Sequence, residues 1–385
     1  MIPDPDLLNP PNQETPRQLL AWRPPNGVLS LYVSIEPGDR SNGWRTAVRN
    51  GLSQATGDGG DGAADREARL ALRETVARLE RALEEERKGE HRGLIGFVEV
   101  ARSEGEERWY ATQIPPRRTE VLRGPVAQIH PLLALLDDGA PLGIAAVSSE
   151  RVRLLDWRIG RVEQLHSWEL EYFGEDWRER KAQRPRDPAR GEAVSASGRD
   201  QYDQRMEDTR ERFAEQTGEL ARGEARKRGW RETLVFGDER YTRKFAEGFG
   251  AGLTHADEAD LIAEPTAQIE RRVEGMLPQL NRTRETSLID RIKEAAYAEG
   301  RSSLGVQETL QALQEGRVEH LVYDAGRDYS GVPVELAGAA GADGPGLSER
   351  MVELALSTGA AVTPVEGSSA EALAEQGGVV ALLRY

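Results

Sequence analysis

The chain contains no cysteine, so neither a disulfide framework nor a thiolate-ligated metal can form. Long apolar runs are missing as well, and nothing approaches the roughly 20 residues of a membrane-spanning helix. The opening Met1-Ile2-Pro3-Asp4-Pro5-Asp6 has no basic region followed by an apolar one, so no signal peptide is expected. A soluble protein of the reducing cytoplasm, without membrane contact, is the expectation. Histidine is scarce. His91, His130, His166, His255 and His320 stand apart without ligand spacing, which argues against a metal site, and no cofactor is expected. An excess of base is also lacking: 66 acids against 51 bases give a net charge of −15. That balance excludes a general coat for nucleic acid and gives no reason to expect DNA as a partner. It makes the location of the bases more informative than their sum.

What is present exceeds one typical core, since 385 residues fit two or three domains. Val28–Ile35 alternates and is rich in strand formers. A helix is expected over Trp44–Ser53, a break at Gly57-Asp58-Gly59-Gly60-Asp61-Gly62, and an amphipathic helix over Asp65–Lys88. Two strands and a helix over Val126–Leu136 close a first α/β domain, 1–138. A second domain, 139–281, opens with short strands at Leu142–Val147, Val152–Leu155 and Val162–Leu165. Residues 174–204 then carry almost no large apolar side chain and read as a projecting loop. A long helix over Tyr202–Lys227 follows, with only Met206, Phe213 and Leu220 as a narrow apolar stripe. Gly248-Phe249-Gly250-Ala251-Gly252 lacks the setting and the lysine of a phosphate loop and reads as a turn. Glu258–Leu280 is largely helical.

A third domain, 282–385, alternates helices at Ser287–Glu299, Val306–Glu315 and Leu347–Thr358 with strands at Val318–Tyr323, Ala361–Val365 and Val379–Tyr385. Such alternation predicts a mostly parallel, three-layer α/β unit. Ser368 and Glu371 have capping-box spacing ahead of a short helix.

The run Leu304-Gly305-Val306-Gln307-Glu308-Thr309-Leu310-Gln311-Ala312-Leu313-Gln314-Glu315-Gly316-Arg317-Val318 and the terminal Gly377-Gly378-Val379-Val380-Ala381-Leu382-Leu383-Arg384-Tyr385 resemble the C-terminal domain shared by archaeo-eukaryotic class-1 release factors and Pelota. The strands at Leu31-Tyr32-Val33 and after Leu142 look like the first two domains of bacterial members, including branches devoted to ribosome rescue or hibernation. The resemblance implies three α/β domains. The middle one would be RNase H-like with a protruding loop and long helix, and the last one ribosomal-protein-like.

In that family a Gly-Gly-Gln loop ahead of a long helix enters the peptidyl-transferase centre and hydrolyses peptidyl-tRNA. Here Ser197-Gly198-Arg199-Asp200-Gln201-Tyr202-Asp203-Gln204-Arg205 stands in that place. Gln201 and Arg205 keep the family spacing, Arg199 and Asp200 replace the glycines, and Gly198 completes the looser Gly-x-x-Gln form. The resemblance therefore implies Gln201 as the catalytic residue, with Gly198, Arg199 and Asp200 as its loop. Glutamine does not titrate, so its part would be to orient water, with its backbone N–H on the developing oxyanion.

Just upstream, Arg178, Arg180, Lys181, Arg184, Arg186 and Arg190 outnumber two acids, against the trend of the whole chain. With Arg205 they are the candidate RNA contacts, since arginine meets phosphates and stacks on unpaired bases. The partners implied are the ribosome, through rRNA and peptidyl-tRNA, and a translational GTPase. Two functions compete: a peptidyl-tRNA hydrolase acting on stalled ribosomes, and an A-site-binding hibernation or stall-recognition factor without chemistry. No Asn-Ile-Lys-Ser tetrapeptide of the stop-codon-reading type occurs.

Overall fold

The computed structural model describes residues 8–35, 43–56, 63–85, 91–170, 193–298, 300–329 and 346–385. It is a mixed α/β structure with three sheets. The chain folds into two units. Residues 1–139 and 276–385 form the first, and residues 140–275, inserted between them in the chain, form the second.

In the first unit, β1 (Val28–Ser34), β2 (Gly93–Glu99), β3 (Glu107–Thr112) and β4 (Glu120–Gly124) make an antiparallel sheet of order β3-β2-β1-β4. Helices α2 (Gly43–Ala55) and α3 (Ala63–Glu85) follow the lead-in helix α1 (Thr15–Leu20). Their Val48, Leu52, Leu72, Val76 and Leu79 bury the sheet face that carries Leu29, Leu31, Leu94 and Trp109. The period-2 and period-3.6 patterns thus meet in one core. Helix α4 (His130–Asp138) starts later than the sequence suggests, because Pro131 fits only the first turn, where its missing N–H costs nothing.

The C-terminal sheet of this unit has the order β10-β13-β11-β12, from Ser302–Leu304, Val379–Leu383, Val318–Asp324 and Ala361–Val365. Only β11 and β12 are parallel; β13 runs antiparallel to both its neighbours. The expectation of a mostly parallel sheet is corrected, since alternation of elements does not encode strand direction. The expected capping box is corrected too. Glu366 is the N-cap residue of the short helix Gly367–Glu371, makes no side-chain cap, and leaves Ser368 inside the helix.

The second unit is a five-stranded sheet of order β7-β6-β5-β8-β9. Strands β5 (Leu142–Val147), β6 (Arg151–Arg158) and β7 (Arg161–Glu169) form an antiparallel meander. The parallel strands β8 (Glu232–Gly237) and β9 (Leu253–Asp257) extend it on the other side of β5. Ile159, at φ 47°, and Gly160 turn β6 into β7, a conformation usually left to Asn or Gly at both positions. Between β7 and β8 runs helix α5, Ala193–Arg228, and between β8 and β9 helix α6, Glu239–Phe249.

Helix α7 is continuous from Thr266 to Ala298, with Pro278 inside it. It replaces the two helices expected on either side of Arg282, and its early turns belong to the second unit and the rest to the first.

Candidate ribosome-contact helix

Helix α5 is 36 residues long, about 54 Å at 1.5 Å per residue. Its packed side is made of small residues: Ala214, Thr217 and Ala221 are buried, with Phe213 packed beside them against Val147, Leu154, Phe245 and Phe249. Gly218 lets the backbone of α6 approach directly, since a Cβ there would meet the carbonyl oxygen of Phe245; at Gly248 it would meet that of Glu215. The stripe expected from Met206, Phe213 and Leu220 is therefore corrected, and Leu220 is 55% exposed. Close backbone contact selected small residues that a search for large apolar ones passes over.

Ion pairs fix the middle of the helix. The Tyr241 hydroxyl donates to Glu207 at 2.8 Å, and Arg240 pairs with Glu207 at 2.8 Å while bonding Glu211 at 2.8 and 2.9 Å. Arg210 joins Glu150, in the β5–β6 turn, at 2.7 Å. Burial, together with the bond to Glu207, pushes the Tyr241 phenol up to about 12. These groups are already paired with one another and act as bolts between α5, α6 and the β5–β6 turn.

Gly198, Arg199, Asp200 and Gln201 lie inside α5, whose helical backbone begins at Ala193. The loop expected through residue 204 is corrected on that point. The physical reason is local: beyond Pro188 no residue forbids helix, and a single Gly among Ala, Arg, Asp and Gln costs only about 1 kcal/mol. Gln201 is the ninth helical residue, so its N–H goes to the carbonyl four residues back. Only the first four N–H groups of a helix are unclaimed. The helical form thus offers no Gln201 N–H to an oxyanion.

Arg205 follows one turn later and is exposed, and no ion pair to it forms among the described residues. Arg178, Arg180, Lys181, Arg184, Arg186 and Arg190 lie outside the described residues. Among the described residues no group of His, Asp and Glu could hold a metal ion, and no helix is long and apolar enough to cross a membrane.

Residues 141–274, which span this sheet and both its helices, match the model of bacterial archaeo-eukaryotic release factor family 5. No curated protein matches the chain. Among solved structures, an archaeal translation termination factor, aRF1, is 20% identical over 96% of each chain, with a TM-score of 0.24. Archaeal Pelota, in a ribosome-bound model with ABCE1, is 15% identical over 76% of this chain and 77% of that one, at 0.39. Pelota of Archaeoglobus fulgidus is 15% identical over 76% and 79%, at 0.33. The second unit, residues 140–275, is thus similar over nearly its whole length to a domain of bacterial archaeo-eukaryotic release factor family 5.

Proposed function

We propose that the protein is a ribosome-associated translation factor of the release-factor type, working in the cytoplasm and occupying the ribosomal A site. The observation that carries this reading is the family match over a unit whose long helix has Gln201 in its backbone near the front and exposed Arg205 one turn later. Arg205 and the upstream Arg178, Arg180, Lys181, Arg184, Arg186 and Arg190 would meet rRNA and tRNA phosphates. A basic front on an acidic chain suits local docking to RNA and disfavours indiscriminate coating. A translational GTPase is the delivery partner in this reading.

Of the two chemical outcomes, binding without hydrolysis is favoured by the helical backbone at Gln201, whose N–H is spent inside the helix. Hydrolysis requires the first turns of α5 to unwind on the ribosome. A release assay on ribosomes carrying peptidyl-tRNA, run with wild type and Gln201→Ala, separates them. The expected result is co-sedimentation with ribosomes at low salt and peptide release no faster than the background, unchanged by the substitution. Release that is rapid in wild type and falls a hundredfold or more in Gln201→Ala establishes the hydrolase instead.

A further inference from the structure

At the other end of α5, about 39 Å from Gln201 on the helix axis, an aromatic stack reaches the surface. Trp168, on β7, packs against the core formed by Val147, Val152, Leu154 and Phe245, which fixes its indole. The His166 imidazole lies on that indole, with centroids 5.0 Å apart and planes 18° apart. His166 remains 43% exposed, with Glu224 of α5 at 3.9 Å. Glu224 also meets Lys227, 72% exposed, at 2.8 Å and Arg228 at 3.7 Å, both in the last turn of α5. Arg158 donates to the Arg228 carbonyl at 3.0 Å. The acids facing this corner are Glu163, Glu224 and Asp156, and buried Asp156 is already bonded to Trp230.

We propose that the His166–Trp168 stack is a second RNA-contact site, receiving one unpaired base while Lys227 and the neighbouring arginines meet the adjoining phosphates. Last-turn bases also complement a helix C-terminus, so charge alone does not choose the ligand. The stack does. A fixed two-ring pile with an open imidazole is extended by a third planar ring, and a nucleobase supplies both the ring and the anionic backbone. The choice of RNA rests on the ribosome-binding reading above.

The test titrates the full chain with a short single-stranded RNA, about twelve nucleotides, following tryptophan emission and the anisotropy of a labelled copy. RNA should quench a part of the emission that is absent in Trp168→Phe. His166→Ala should weaken binding about tenfold, the value of one stacked base, and Lys227→Glu severalfold, whereas His166→Phe should stay within about twofold of wild type. Equal binding by His166→Ala and wild type overturns the proposal. So does quenching by inorganic polyphosphate equal to that by RNA, or no RNA binding at low salt. Ribosome co-sedimentation is scored separately: its failure with the RNA quench intact removes the ribosomal reading and leaves the stack.

Discussion

Arg153 lies in β6 with 9% of its surface exposed, and its partners are not carboxylates. Its Nη1 donates to the carbonyl oxygens of Leu261, Ile262 and Glu264 at 2.9, 3.0 and 2.7 Å. Nε and Nη2 share the Gln164 side-chain oxygen at 3.0 and 2.7 Å. One guanidinium thus satisfies the turn that leads from β9 into α7, where no ladder reaches the carbonyls. Removing it takes the donor from the part-buried Ile262 and Glu264 carbonyls, each bond worth about 1 kcal/mol or more, and leaves Leu261 only the Glu264 N–H at 3.3 Å. Arg153→Met, which keeps the aliphatic stem, should cost the second unit about 3 kcal/mol in urea denaturation. Faster hydrogen exchange should appear across Leu261–Glu264. Unchanged stability would mean that water replaces the guanidinium without loss. The sequence shows an arginine inside an apolar strand and no more; its carbonyl partners lie more than 100 positions away.

At the scale of elements, α5 and α6 come backbone to backbone at two glycines, Gly218 and Gly248, alongside their side-chain contacts. Gly248→Ala would push a methyl group into the Glu215 carbonyl, which has no rotamer by which to retreat. The expected loss is about 1–3 kcal/mol, the range for overpacking. Gly223→Ala, in the same α5 with nothing within 4 Å of the new Cβ, should gain up to about 1 kcal/mol from helix propensity. Thermal melts of the two variants should therefore shift in opposite directions, and a shared direction would refute the close-approach account. The same pair shows what sequence reading could and could not reach. β1, β5 and β11, whose apolar runs are bounded by turns, were legible close to their observed ends. Helix α6 has no counterpart among the elements expected from the sequence, although Tyr241, Phe245 and Phe249 recur at helical spacing; the glycine-rich stretch at its end does form a turn from Gly250, at φ 86°. The front of α5 reads as loop in the sequence for a physical reason. Polar composition distinguishes core from surface, and it does not distinguish an exposed helix from a loop.

For the whole molecule, chain order and spatial order differ. The first unit joins the two ends of the chain, and one of its ties is a buried polar relay. His130 of α4 is hydrogen-bonded to Tyr323 of β11 and lies 3.2 Å from Glu349, in the first turn of the helix Leu347–Ser357. Burial works against ionised Glu349, yet the bond and charge of His130 prevail and hold its carboxyl down at about 2. A carboxylate with a depressed folded value contributes stability that is present above the unfolded value, 4.5, and disappears as pH falls through about 2. Glu120 and Glu285, raised by burial, act in the opposite sense: their contribution is present in acid and is lost as pH rises through their folded values. Comparing wild type with Glu349→Gln removes those common terms. Calorimetry should resolve a transition for each unit, and Glu349→Gln should lower only the first unit's, by roughly 2–4 °C for each kcal/mol lost at pH 7. The gap should narrow steadily between pH 4.5 and pH 2 as wild-type Glu349 takes up its proton. A gap that persists unchanged at pH 2 would assign the loss to packing and not to charge, and equal shifts in both transitions would deny the two units their separate stabilities.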